Sequence, residues 1–82
     1  MSDVRKRSIS LLGHRTSYSI EDRFQDALAK MAQARGLSLA ALIGQIDAKR
    51  SVGTNLSSAL RLEILADLEE RLAERESTII KD

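Results

Sequence analysis

One stretch, residues 15–49, constrains this chain more than any other. Arg15-Thr16-Ser17-Tyr18-Ser19-Ile20 reads as a short strand. Two short amphipathic helices follow, one opening near Glu21 and stopping at Gly36, the next opening at Ser38. A lone strand leaves its backbone N–H and C=O groups unpaired, and two short helices enclose no core. The unit must find a partner, and the simplest partner is a second copy of itself. The expected fold is mainly α with a short β-ribbon, built as an intertwined homodimer.

Composition supports a partner-dependent fold. At 82 residues the chain is one small domain, a size at which a single core is marginal. It has no Cys and a single His, His14, so neither a disulfide nor a thiolate or histidine metal site is available. No metal or cofactor is expected, and no nucleophile–base spacing points to a catalytic residue. Oligomerisation is the remaining source of stability. With one Tyr, one Phe and no Trp, the core must be Leu, Ile and Ala. No apolar run approaches the ~18 residues of a membrane span, and none of signal-peptide length follows the basic N-terminus. A cytoplasmic protein with no membrane partner is the expectation.

Net charge is only +1, but it is unevenly spread. Residues 1–20 carry Arg5, Lys6, Arg7 and Arg15 against Asp3, whereas residues 61–82 carry four bases against seven acids. A basic head and an acidic tail fit two ends that face different partners; an ordinary mixed surface accounts for the same numbers equally well.

Three segments are expected along the chain. Residues 1–7 read as a flexible basic arm. Residues 8–72 form the domain, and residues 73–82 a charged, frayed tail. Within the domain, Ser8 to Leu12 alternates polar and apolar, and Gly13-His14 reads as a turn. Ser8-Ile9-Ser10-Leu11 echoes Ser17-Tyr18-Ser19-Ile20, so an extra strand, and a four-stranded dimer sheet, is an open alternative. The first helix shows Phe24, Ala27, Leu28, Met31 and Ala32 on one face, and Gly36 supplies its left-handed stop. The second, capped by Ser38, shows Leu39, Leu42, Ile43 and Ile46. Its Ala40, Ala41 and Gly44 suit a helix crossing its own symmetry mate. Asn55 caps an added C-terminal helix striped by Leu56, Ala59, Leu60, Ile64, Leu68 and Leu72, with Leu62 and Leu65 widening the stripe.

Side chains alternate between the faces of a strand. Tyr18 and Ile20 are expected to face inward, joining Phe24, Leu28, Leu42, Ile43 and Ile46 in a dimer core. Arg15, Ser17 and Ser19 face outward. Two such strands paired antiparallel make a ribbon narrow enough for the DNA major groove.

The order strand, Glu21–Gly36, Ser38 onward resembles the ribbon-helix-helix superfamily of β-ribbon DNA readers. Gly13-His14-Arg15-Thr16-Ser17, Ile46-Asp47 and Asn55-Leu56-Ser57-Ser58-Ala59-Leu60-Arg61 resemble a group of short stand-alone bacterial members. The resemblance implies that Arg15, Ser17 and Ser19 read bases. It also implies that backbone N–H groups around Ser38 and Leu39 hold a phosphate at the positive end of the helix dipole. Arg5, Lys6 and Arg7 would add sequence-independent phosphate contacts. Each position has a plainer reading: Ser17 and Ser19 as the solvent side of an edge strand, Arg15 as a phosphate clamp, Ser19 as a helix cap with Asp22 in a capping box, Ser38 as a cap only. The expected function is sequence-selective DNA binding by a homodimeric transcriptional repressor. The alternatives are an antitoxin that holds a toxin with its C-terminal segment, and a protein-interaction adaptor that kept the fold without binding DNA.

Overall fold

The computed structural model describes residues 3–80, with side chains placed for residues 3–77. The elements are β1 (Val4–Leu11), β2 (His14–Glu21), α1 (Asp22–Ala34), α2 (Leu39–Lys49) and α3 (Leu56–Ile80).

The two strands form an antiparallel hairpin within one chain, from Val4 opposite Glu21 to Leu11 opposite His14. This overturns the premise of a lone strand. The extra strand, an open alternative in the sequence, is real and longer than residues 8–12. It also absorbs most of the supposed basic arm: Arg5, Lys6 and Arg7 lie in β1, while residues 1–2 lie outside the described residues. The turn is Leu12-Gly13, not Gly13-His14. Both residues have positive φ, 52° and 81°, as a two-residue hairpin loop with the right twist requires.

Register decides which side chains meet the helices. Tyr18 and Ile20 are buried, and the β1 residues on their face, Ile9 and Leu11, pack partly buried against the core. The buried Tyr18 hydroxyl donates to Gln25 Oε1 at 2.9 Å, satisfying its polar end.

The helices begin and end for local reasons. Helix α1 opens after Glu21, which makes no side-chain cap bond; Ser19 is not its cap. It closes in a Schellman motif: Leu37 N–H donates to Ala32 O at 2.8 Å and Gly36 N–H to Gln33 O at 3.1 Å, with Gly36 at φ 67°. Ser38 Oγ caps α2 by accepting from Ala41 N–H at 3.1 Å. Asn55 Oδ1 accepts from Ser58 N–H at 2.8 Å and starts α3.

The core gathers Leu28, Met31 and Ala32 of α1, Leu42, Ile43 and Ile46 of α2, and Leu56, Ala59, Leu60 and Ile64 of α3 around Tyr18 and Ile20. Six of the seven residues expected in a dimer core are thus buried within a single chain. Phe24 is the exception. It sits at the rim, partly buried, with the Arg61 guanidinium 5.7 Å from its ring centre, a cation–π distance. Helix α3 departs from expectation at its far end. Leu68 and Leu72 are more than half exposed, and the helix runs on to Ile80.

Leu42 is fully buried. Leu42→Ala should cost about 2–5 kcal/mol, read as a lower urea midpoint; a loss under ~1 kcal/mol would take α2 out of the core.

Candidate nucleic-acid interface

Alternation sorts the hairpin into two chemically distinct faces. The inward face of β1 includes Arg5 and Arg7 beside Ile9 and Leu11. Both arginines reach Asp22 Oδ1, Arg5 Nε at 3.3 Å and Arg7 Nη2 at 2.8 Å. Asp22 is the first residue of α1, where a carboxylate is favoured by the helix dipole. Arg7 Nε is buried without a hydrogen-bond partner, so the Asp22 contact is its main compensation. Both arginines thus lie in a strand and pair with Asp22, Arg7 largely covered and Arg5 about two-thirds exposed.

The outward face is different. Lys6, Ser8 and Ser10 of β1 stand beside Ser19, Ser17 and Arg15 of β2, in that order. All are exposed except Ser19, which is half-buried. Lys6, Ser8, Arg15, Thr16 and Ser17 line an open concavity on this side. Among the described residues, neither Lys6 nor Arg15 makes an ion pair. The ribbon therefore offers two free cations and four hydroxyls on one solvent-facing surface. Sequence reasoning placed Arg15, Ser17 and Ser19 there and put Lys6 on an arm. It missed Ser8 and Ser10, although their echo of Ser17 and Ser19 was the signal.

Helix α3 covers the free edge of β2. Ser19 N–H donates to Ser57 Oγ at 2.8 Å, and Ser19 C=O accepts from Arg61 Nη2 at 3.3 Å. Arg61 also donates from Nε and Nη2 to Glu21 Oε1, at 3.2 and 3.1 Å. The Glu21 carboxyl is held below its ordinary pKa, chiefly by its own backbone N–H; desolvation opposes this, and the hydrogen bond and charge of Arg61 lower it further. A depressed carboxyl stabilises the fold above its unfolded pKa, and this contribution is lost as pH falls through the lowered value, so the α3 latch loosens in acid.

Ser38 is exposed at the start of α2, with Leu39 half-buried behind it. The Ser38 hydroxyl is engaged in capping. These two residues lie apart from the ribbon face in the chain, and the structure brings neither into its concavity.

A family model described as a ribbon-helix-helix domain matches residues 4–68. The chain belongs to the ribbon-helix-helix domain family. The match spans both strands and all three helices as far as Leu68, one residue beyond Asp67, which accepts from Arg35 at 3.1 Å and holds α3 to the end of α1. Ribbon-helix-helix domains belong to DNA-binding regulators rather than to enzymes. Searches of the curated proteins and of the solved structures find no match. No helix among the described residues is long and apolar enough to cross a membrane.

Ser57→Ala would leave the Ser19 N–H without its partner. The expected outcome is a loss of about 1 kcal/mol and faster hydrogen exchange at the Ser19 amide; unchanged exchange there would mean that α3 does not seal the edge.

Proposed function

We propose that this ribbon-helix-helix chain is a sequence-selective DNA-binding transcriptional regulator, acting as a homodimeric repressor in a bacterial cytoplasm. The observation that carries the reading is the outward ribbon face. Its cations make no ion pair, whereas Arg5, Arg7 and Arg61 pair with Asp22 or Glu21. A ribbon about 27 Å long, from eight residues per strand, fits lengthwise in a major groove ~12 Å wide. Arg15 is suited to a bidentate contact with guanine O6 and N7, and the serines donate or accept with little discrimination. Lys6 adds charge on the same face. Ser38 and Leu39, at the positive end of α2, are the candidates for anchoring a phosphate.

Dimerisation no longer rests on a missing strand partner. It rests on a groove lined by Leu11, Leu12, Ala40, Ala41, Gly44 and Ala48. Leu12 is fully exposed in a left-handed conformation, a combination that costs free energy in an isolated chain. A Cβ built on Gly44 would meet only Leu11 Cδ2, at 3.9 Å, so nothing inside the chain demands glycine there. A second α2 crossing at these small residues accounts for both observations. Leu12→Asn, which relieves the turn, should preserve the fold while raising the dimer dissociation constant, measured by sedimentation. A dimer of unchanged affinity would place the interface elsewhere.

The DNA reading is tested by a salt-dependent titration on the duplex upstream of the chain's own gene. Affinity should fall steeply with salt, and Arg15→Ala should weaken specific binding by about 1–3 kcal/mol while sparing random duplex. Equal weakening of both would make Arg15 a phosphate clamp.

A second reading is favoured by one feature of α3. Leu62, Leu65, Leu68 and Leu72 are each more than half exposed; Leu68 and Leu72 extend the Leu60–Ile64 stripe beyond the domain, and Leu62 and Leu65 flank it. Such a stripe suits a protein partner, as in an antitoxin. Removing residues 73–82 should spare folding and DNA binding, because the last buried core residue of α3 is Ile64. In this reading the same truncation weakens capture of a toxin; unfolding on truncation would show that the whole of α3 is part of the core.

A further inference from the structure

The far end of α3 is a helix without a neighbour. Ile64 is its last buried residue, and every residue from Leu68 to Ser77 is exposed. Helices in proteins draw most of their stability from packing, and the half-exposed Arg71–Asp67 pair at 3.0 Å supplies little of it here. The leucines of this end fall on a rule. Four residues turn 400°, so Leu60, Ile64, Leu68 and Leu72 drift about 40° per step. By Leu72 the stripe has swung about 120° from the docked face, and there Leu65 joins it. Leu65, Leu68, Leu72 and Arg75 take the a, d, a and d places of a heptad repeat, the spacing by which helices pair. The sequence carries that spacing on to Ile79. Charges beside this seam select an orientation. Glu69 and Glu76 fall at e, and Arg71 falls at g. Antiparallel helices would set Glu beside Glu and Arg71 beside Arg71. Parallel helices set each g against the e five residues on, so Arg71 meets the partner's Glu76, twice by symmetry. Arg75 at the seam also lies beside the partner's Glu76. Among the described residues, Glu69, Arg75 and Glu76 make no ion pair.

We propose that distal α3 is a self-association surface, and that its occupant is the distal α3 of a second copy, parallel and in register. This pairing goes beyond DNA binding and needs no DNA. It is also separate from the proposed dimer groove. Ala41, Gly44 and Ala48 of α2 line that groove, whereas Ile46 and Lys49 line the side of α2 that meets α3. With both surfaces in use, the groove joins two copies and distal α3 joins such dimers to one another, because a second two-fold contact carries assembly past the dimer. The seam is short, about 21 Å from Leu65 to Ile79, and one of its places is an arginine. The pairing is therefore weak and concentration-dependent. A toxin bound as in the second reading would compete for the same stripe.

The test is sedimentation equilibrium of the full chain, without DNA, over a wide range of concentration. The reference is the double variant Leu68→Glu, Leu72→Glu. Every substituted position is exposed, and circular dichroism confirms that each variant is folded. Wild type should reach a higher mass than the reference as concentration rises, with an association at least about tenfold tighter. Arg75→Leu completes the seam and should tighten it further, again by about tenfold. Arg71→Glu and Glu76→Arg should each weaken it by about threefold, and the two together should restore it, since the exchanged pair is again of opposite sign. If wild type and the reference have the same mass at every concentration, a second copy is not the occupant and the proposal falls. If the leucine variant abolishes the association but the charge exchange restores nothing, the helices do not pair in parallel and the proposed seam falls. With no DNA in the cell, neither result bears on the DNA-binding reading.

Discussion

The antiparallel register of β1 on β2 is the constraint from which the rest of the molecule follows. A slip of one residue would exchange the faces of one strand, turning Ser17 and Ser19 toward the helices and Tyr18 and Ile20 toward water. The Leu12-Gly13 loop fixes the start of the ladder, and burial of Tyr18 and Ile20 fixes its sense. The same alternation sorts three consecutive cations. Arg5 and Arg7 turn inward to Asp22, while Lys6 between them turns out. A basic cluster in sequence becomes an ion-paired clasp on Asp22 and one free charge.

Two kinds of interaction hold α3 in place, and their magnitudes give them different jobs. Leu60 and Ile64 are almost wholly buried, and each such side chain contributes about 1.5–3 kcal/mol. The ion pairs Lys49–Glu63, Arg35–Asp67 and Arg61–Glu21 are partly exposed, where a pair contributes about 0–1 kcal/mol. Burial therefore docks the helix, and the polar contacts set its rotation and its slide along the hairpin. The Ser57 and Arg61 contacts do more than orient. They satisfy the backbone of an edge strand at Ser19, one of the ways a sheet edge is kept from pairing with another chain.

Much of this was legible in the sequence, because much of it is governed by local rules. The 3.6-residue stripes located α1 and α2, Gly36 and Ser38 marked their junction, Asn55 marked the start of α3, and period-two alternation put Tyr18 and Ile20 inside. What failed was nonlocal. Whether β2 pairs with a second copy or with residues 4–11 depends on a turn whose first residue is Leu12, a residue type that seldom takes positive φ, so the hairpin signal was weak. Phe24 lies at the rim of the core, where its ring meets Arg61, 37 positions later in the chain, a contact that periodicity does not reveal. Leu68 and Leu72 continue the apolar periodicity past the point where the domain can cover them. Of the candidate site, the β2 half was readable from alternation alone, whereas the β1 half required the register.

The near-neutral net charge is a poor guide to how this surface meets an anion, because many of its acids lie on distal α3 and the two beside the ribbon, Glu21 and Asp22, are paired with arginines. Arg61 marks where α3 touches the ribbon. Glu69 lies eight residues further along the helix and Glu76 fifteen, roughly 12 and 22 Å of axial rise. Physiological salt screens exposed charges over ~8 Å. The acids of distal α3 are therefore largely invisible to a phosphate approaching Lys6 and Arg15, and the potential there is set by the ribbon itself. Charge separation of this kind lets one small domain present a cationic face at one end and an acidic, leucine-striped helix at the other, with neither weakening the other.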